Sequence, residues 1–165
     1  MELEAALRRQ LLSLPVVTGY VQDRVWKFRL EDDIDGTGQR AIVVSRAGGW
    51  ASPLPRNTQE FPVARIQFWA DHTRNPDGTI ATEDGQTSAW AMYRATDPLF
   101  HGVRDVRWGA DGDGEGGMFV IGCSRWSEPR EDSVAALATG RPGSTDSDRL
   151  EAACVVVDYA VQVIH

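Results

Sequence analysis

The pattern of apolar and polar positions divides the chain into two helical segments and a larger set of strands. Leu3, Leu7, Leu11 and Leu14 recur at spacings of four, four and three, which puts them on one helical face. Glu2 and Glu4 stand at the positive end of that helix, and Pro15 is expected to stop it after Leu14, leaving room for one further turn within residues 16–23. Residues 24–30 then switch to a period of two, with Trp26, Phe28 and Leu30 on one side and Lys27 and Arg29 on the other. The acidic turn 31–38 and the apolar return at residues 41–46 predict a hairpin. Gly48, Gly49, Pro53 and Pro55 predict a loop that carries Trp50.

Residues 61–71 read as a core strand, with Val63, Arg65, Gln67 and Trp69 alternating against Ala64, Ile66, Phe68 and Ala70. Asn75-Pro76-Asp77-Gly78 is strong turn chemistry inside a long loop. Thr87 and Ser88 are expected to cap a helix from Ala89 to about Thr96, and Asp97-Pro98 opens a further short turn. Strands are predicted at residues 103–108 and 118–126, joined by a Gly- and Asp-rich loop. Residues 128–149, rich in Ala, Gly, Ser, Thr and Asp, read as a surface arm. Residues 150–164 form a last strand with Ala153, Val155, Val157, Tyr159, Val161 and Val163 on one face. At roughly 3.3 Å per residue it is longer than the domain needs, so part of it is expected to pair with another chain. The class these elements imply is α+β, a mixed, mostly antiparallel sheet flanked by two helices, in one domain over residues 1–165.

Composition narrows the functional classes. Apolar residues make up 42% and charged residues 25%, an ordinary globular mixture. No apolar run approaches the roughly 18 residues of a membrane span, and the N-terminal segment lacks a signal-peptide pattern. The net charge of −7 repels phosphate backbones, and the 17 basic residues are scattered rather than clustered. Cys123 and Cys154 sit inside apolar stretches, as two buried small hydrophobes or as a pair between neighbouring strands.

Sites for chemistry were tested against their physical requirements. Residues 112–117 match Gly-x-Gly-x-x-Gly by letter, but a strand follows, so no helix N-terminus is there to receive a pyrophosphate. A calcium loop over Asp111, Asp113 and Glu115 needs a bidentate Glu at position twelve, where Gly122 stands; the turn with Asp32, Asp33 and Asp35 has Val44 there. His72, His101 and His165 have no histidine partner at metal-ligand spacing, and there is no Cys-x-x-Cys. No catalytic residue, cofactor or metal is therefore assigned. Trp26, Trp69 and Trp126 are expected in the core. Trp50 and Trp108 are candidates either for exposed interface anchors or, equally, for tucking onto the core, and Arg141 in the arm and Tyr159 on the last strand are further interface candidates.

The order of elements resembles the tail terminator proteins of long-tailed bacteriophages. The residues that carry the resemblance are Leu11-Leu12-Ser13-Leu14-Pro15-Val16-Val17 after an amphipathic helix, the Phe61–Asp71 strand, and the helix ending near Asp97-Pro98-Leu99-Phe100-His101-Gly102-Val103. The resemblance implies a homohexameric ring in the virion, at the head-proximal end of the tail and assembled in the host cytoplasm. Such a ring caps the tail tube, stops its polymerisation and meets the head–tail connector or neck protein. Its partners are copies of itself, the tail tube protein and the connector, with DNA passing through without specific binding and no membrane contact. Asp32, Asp33, Asp35, Asp111, Asp113 and Glu115 then become candidates for the channel lining. The alternatives are another neck or tail-tube component, or a small hydrolase with a site near the loops at 50 and 72.

Overall fold

A computed structural model describes residues 2–28, 39–51, 59–110, 117–132 and 152–164. Leu3–Leu12 forms helix α1, with Leu3, Leu7 and Leu11 buried on the predicted face. Pro15 does not end the helical run; it opens a second helix, α2 (Pro15–Val21), longer than the single turn expected. A proline at the first helical position loses no hydrogen bond, and the residue before it is pushed out of the helical region. Leu14 accordingly sits at φ −94° and ψ 113° between the two helices.

The strands are β1 (Val25–Lys27), β2 (Arg40–Ala51), β3 (Gln59–Ala70), β4 (Thr73–Arg74), β5 (Ile80–Thr82), β6 (Arg104–Trp108), β7 (Met118–Arg125), β8 (Arg130–Asp132) and β9 (Ala153–Ile164). Helix α3 (Gly85–Thr96) and a 3-10 turn (Asp97–Leu99) lie between β5 and β6. Among the described residues, seven strands make one sheet in the order β1-β2-β3-β9-β7-β6, with β8 beside β9; β4 and β5 form a separate small hairpin. The class is α+β and the sheet is mostly antiparallel, as the residue pattern predicts.

Three expectations about the strands are corrected. β1 and β2 do not form a hairpin, because they run parallel, with Val25 beside Ile42. Parallel neighbours need a crossover rather than a tight turn. Phe28, with φ 70°, ends β1 early and points its ring outward. β2 continues through Gly48 and Gly49 to pair Trp50 with Phe61, so Trp50 lies on a strand and not in a loop. The two glycines suggested a break, but a bulge between Arg46 and Gly48 keeps the ladder going. Gly49 is required there: at φ 121°, an added Cβ would lie 2.4 Å from the Cα of Pro62.

The largest correction concerns β9. One edge pairs with β3 from Ala153 to Ile164, with a break at Val161 and Gln162, and the other pairs first with β8 and then with β7. Its described length therefore serves three neighbours in the same chain. The face with Ala153, Val155, Val157, Tyr159, Val161 and Val163 is buried against the three helices in the main core. A smaller cluster of Val43, Trp69, Cys154 and Val156, with Trp26 against it, occupies the opposite face.

Part of the segment predicted as an arm is a strand. Residues 130–132 form β8, held on β9 and tied by a 2.9 Å hydrogen bond from Trp90 Nε1 to Glu131. The rest of the 128–149 segment beyond residue 132 lies outside the described residues.

Glycine substitutions separate backbone constraint from simple propensity. Gly49→Ala is expected to destabilise by about 1–3 kcal/mol, whereas Gly19→Ala, with nothing within 4 Å of the new methyl, should be neutral or stabilise by up to about 1 kcal/mol. Thermal unfolding of the two variants checks the pair.

Candidate functional site

Three constellations carry polar or aromatic groups that the fold brings together from distant positions. The first is buried. Asp97, at the end of α3, is 9% exposed and holds Arg125 of β7 by contacts of 2.6 and 3.2 Å, while Tyr159 of β9 donates its hydroxyl to Oδ1 at 2.8 Å. Burial, then the hydrogen bond to Asp97, raises the Tyr159 phenol far above its ordinary value. The Arg125 guanidinium is held more firmly protonated, first by its hydrogen bond to Asp97. Phe100 closes the cluster by packing on both Trp108 and Tyr159. This hub fastens the end of α3 to the middle of the sheet. Tyr159 is 1% exposed and Trp108 is 2% exposed, so within the subunit neither offers the surface an interface anchor needs, and of the two readings open for Trp108 the core one holds. Trp108 turns inward with Val106 onto the main core, where Phe100 receives its ring.

The second constellation surrounds His72. Its Nδ1 accepts the backbone N–H of Gly85 at 3.0 Å, and Asp84 accepts from the N–H and hydroxyl of Thr73, both at 2.7 Å. These bonds start α3 at Gly85, four residues before the expected Ala89, and make Thr87 and Ser88 helical residues rather than caps. An added Cβ at Gly85 would lie 2.8 Å from the carbonyl oxygen of Ala70, so glycine permits the close seating. His101 is similarly engaged, with Nδ1 accepting the N–H of Arg125 at 3.0 Å. Each imidazole thus uses one nitrogen to fix backbone. Among the described residues, no three His, Cys, Asp or Glu side chains gather as metal ligands would.

The third is at the surface, on the sheet face away from the helices. Trp50 is 57% exposed and stacks on Phe61 with ring centroids 4.3 Å apart. Beside them an open groove of about 560 Å³ crosses β3, β9, β7 and β6 and is lined by Phe61, Gln162, Gly122, Ser124 and Arg104. Further along this face Arg65 and Asp158 form a two-pronged pair at 2.8 and 3.0 Å, with Arg130 at 3.7 Å. Trp126 is 69% exposed rather than in the core, because β7 ends at Arg125 and the chain turns toward β8.

Of the residues the sequence proposed, the structure exposes Trp50, buries Trp108 and Tyr159, and gives Trp50 a partner, Phe61, that sequence reasoning missed. Arg141, Asp32, Asp33, Asp35, Asp111, Asp113 and Glu115 lie outside the described residues. The Trp50–Phe61 pair is visible only once β2 is carried across Gly48 and Gly49. The Asp97 hub joins positions 62 residues apart in sequence and has no local signature. Cys123 is in the main core and Cys154 in the cluster on the other face; both are free thiols. Burial pushes the Cys123 thiol up to about 12 and raises Cys154 in the same direction.

The chain matches no protein-family model and no curated protein. Seven chains of solved structures match it. One belongs to the virion of a native gene transfer agent particle: it superimposes with a TM-score of 0.57, covers 99% of this chain and 95% of its own, and is 15% identical. At that identity the likeness establishes a shared fold from end to end. Among the described residues, no helix is long and apolar enough to cross a membrane.

Two outcomes follow from the buried groups. Tyr159→Phe is expected to cost about 1–3 kcal/mol, read from urea unfolding, because Asp97 loses a donor inside the core. The folded chain keeps its thiol protons where the unfolded chain, with thiols near pKa 8.5, releases them. Stability should therefore be full below about pH 8.5 and fall as the pH rises above it; replacing both cysteines with valine should flatten that slope between roughly pH 8.5 and 10.

Proposed function

We propose that this chain is a structural component of a phage-like particle and acts as the tail terminator, a ring that caps the tail tube and joins it to the head connector. The observation that carries the reading is the end-to-end likeness to a chain of a gene transfer agent virion, which leaves almost none of either chain unmatched. A fold shared over the whole length is what a common building block in two particles requires, although fold alone does not dictate role. The engagement of His72 and His101 with backbone N–H groups favours a structural role over a hydrolytic one.

In this reading the ring is a homohexamer. Its contacts are heterologous, each copy offering one surface to the neighbour ahead and another to the neighbour behind. The net charge of −7 suits a passage that DNA traverses without adhering. The acidic residues of 31–38 or of 111–115 are the candidates for the channel lining, and an image of the ring with both on its outer rim would remove that assignment.

The test is to add the purified chain to tail tube protein from the same particle during polymerisation and to image the products by electron microscopy. Rings with a central hole, seated on the ends of tubes that have stopped growing, are the expected result. Extended tubes built from this chain would make it a tube component instead. A strict monomer with no effect on tube length would overturn the structural reading.

A further inference from the structure

The large sheet ends in two strand edges of unlike character. On one side β1 covers β2 only as far as Val44, and past it the stretch from Arg46 to Trp50 is exposed, with no other described strand alongside. Ala47, Gly48 and Gly49 offer no side chain larger than a methyl, which lets another backbone approach closely. An exposed, nearly neutral edge of this kind is one that monomeric proteins usually shield with charge. On the other side β6 has that shield: Arg104, Asp105 and Arg107 are exposed, and Arg107 lies over the ring of Phe119 at 5.9 Å.

We infer that the β2 edge from Arg46 to Ala51 is the docking surface for β6 of a second copy of this chain, so that the sheets of neighbouring subunits run on into one another. Three observations agree on this occupant. The lengths match, five residues of β6 against the six of the open β2 stretch. The directions match as well. Each step from β2 through β3, β9 and β7 to β6 is antiparallel, so after four reversals β6 runs the same way as β2. Sheets placed side by side with the same face forward then bring β6 in parallel with β2, the relation β1 already has to β2.

The chemistry is complementary. The indole of Trp50 is propped flat on Phe61 at the β2 edge, and an arginine from β6 can lie over it, as Arg107 lies over Phe119 within its own subunit. The two partners of this contact lie on opposite margins of the sheet. The arrangement is head-to-tail and closes into a ring when the rotation permits. This inference rests on the ring reading only in taking a second copy as the partner.

Cross-linking of the full chain tests it. Ala47→Cys and Arg104→Cys variants are purified separately, and Cys123 and Cys154, both buried, do not compete for reagent. A short bismaleimide should link the two variants to each other when they are mixed and link little of either alone. Trp50→Ala, at an exposed position, should keep its unfolding temperature and weaken self-association about tenfold or more. Equal linking of Ala47→Cys with itself would mean β2 pairs with β2 and would overturn the proposal. So would the absence of any link between the variants. Rings seen by microscopy without that link would sink the edge pairing while leaving the terminator reading in place.

Discussion

The pairing of β9 on both edges is the interaction on which the rest of this molecule depends. It supplies the central rail of the sheet: β3 lies on one side, and β8 and β7 share the other. Removing backbone donors and acceptors from water is tolerable only where each finds a partner, and this strand finds them along its length. Its alternating side chains supply the floor of the helical core on one face and part of a second cluster on the other. Tyr159, in the middle of it, anchors the Asp97 hub that positions the end of α3.

That arrangement leaves the outer strands as the surfaces with unused capacity. β9 is paired on both edges inside the subunit, so the backbone left open lies at the margins of the sheet. The margins differ in kind: glycine and an indole on one, charged side chains on the other. An assembly that needs each copy to tell its front from its back is served by such asymmetry, since a symmetric pair of edges would allow two copies to meet face to face and stop.

Much of the fold was legible from spacing alone. The leucines of α1, the alternation of residues 61–71 and the inward face of residues 153–163 are local periodicities with one physical solution each. What escaped was decided by non-local pairing. Nothing in residues 24–46 distinguishes a parallel neighbour from a hairpin, because both present the same alternation. Trp108 and Trp126 were decided in the same way, one finding Phe100 in the core and the other left beyond the last paired residue of β7. The start of α3 was misplaced because its true determinants, His72 and Asp84, act from the preceding hairpin and not as a cap motif. Of the surface site, Trp50 was visible as an unusual aromatic, but its stacking partner depends on a register that no short window contains.

The place of β9 in the chain has one further bearing, on how the molecule is made. β3, β7 and β8 all precede it in sequence, so the ribosome releases every neighbour before the strand that unites them. Until then β2 with β3, and β6 with β7, exist only as separate hairpins with apolar faces uncovered, the state in which nascent chains adhere to one another. Pairings across such sequence distances are slow to form. Only a chain whose synthesis has run through β9 therefore holds its two sheet margins at their proper separation.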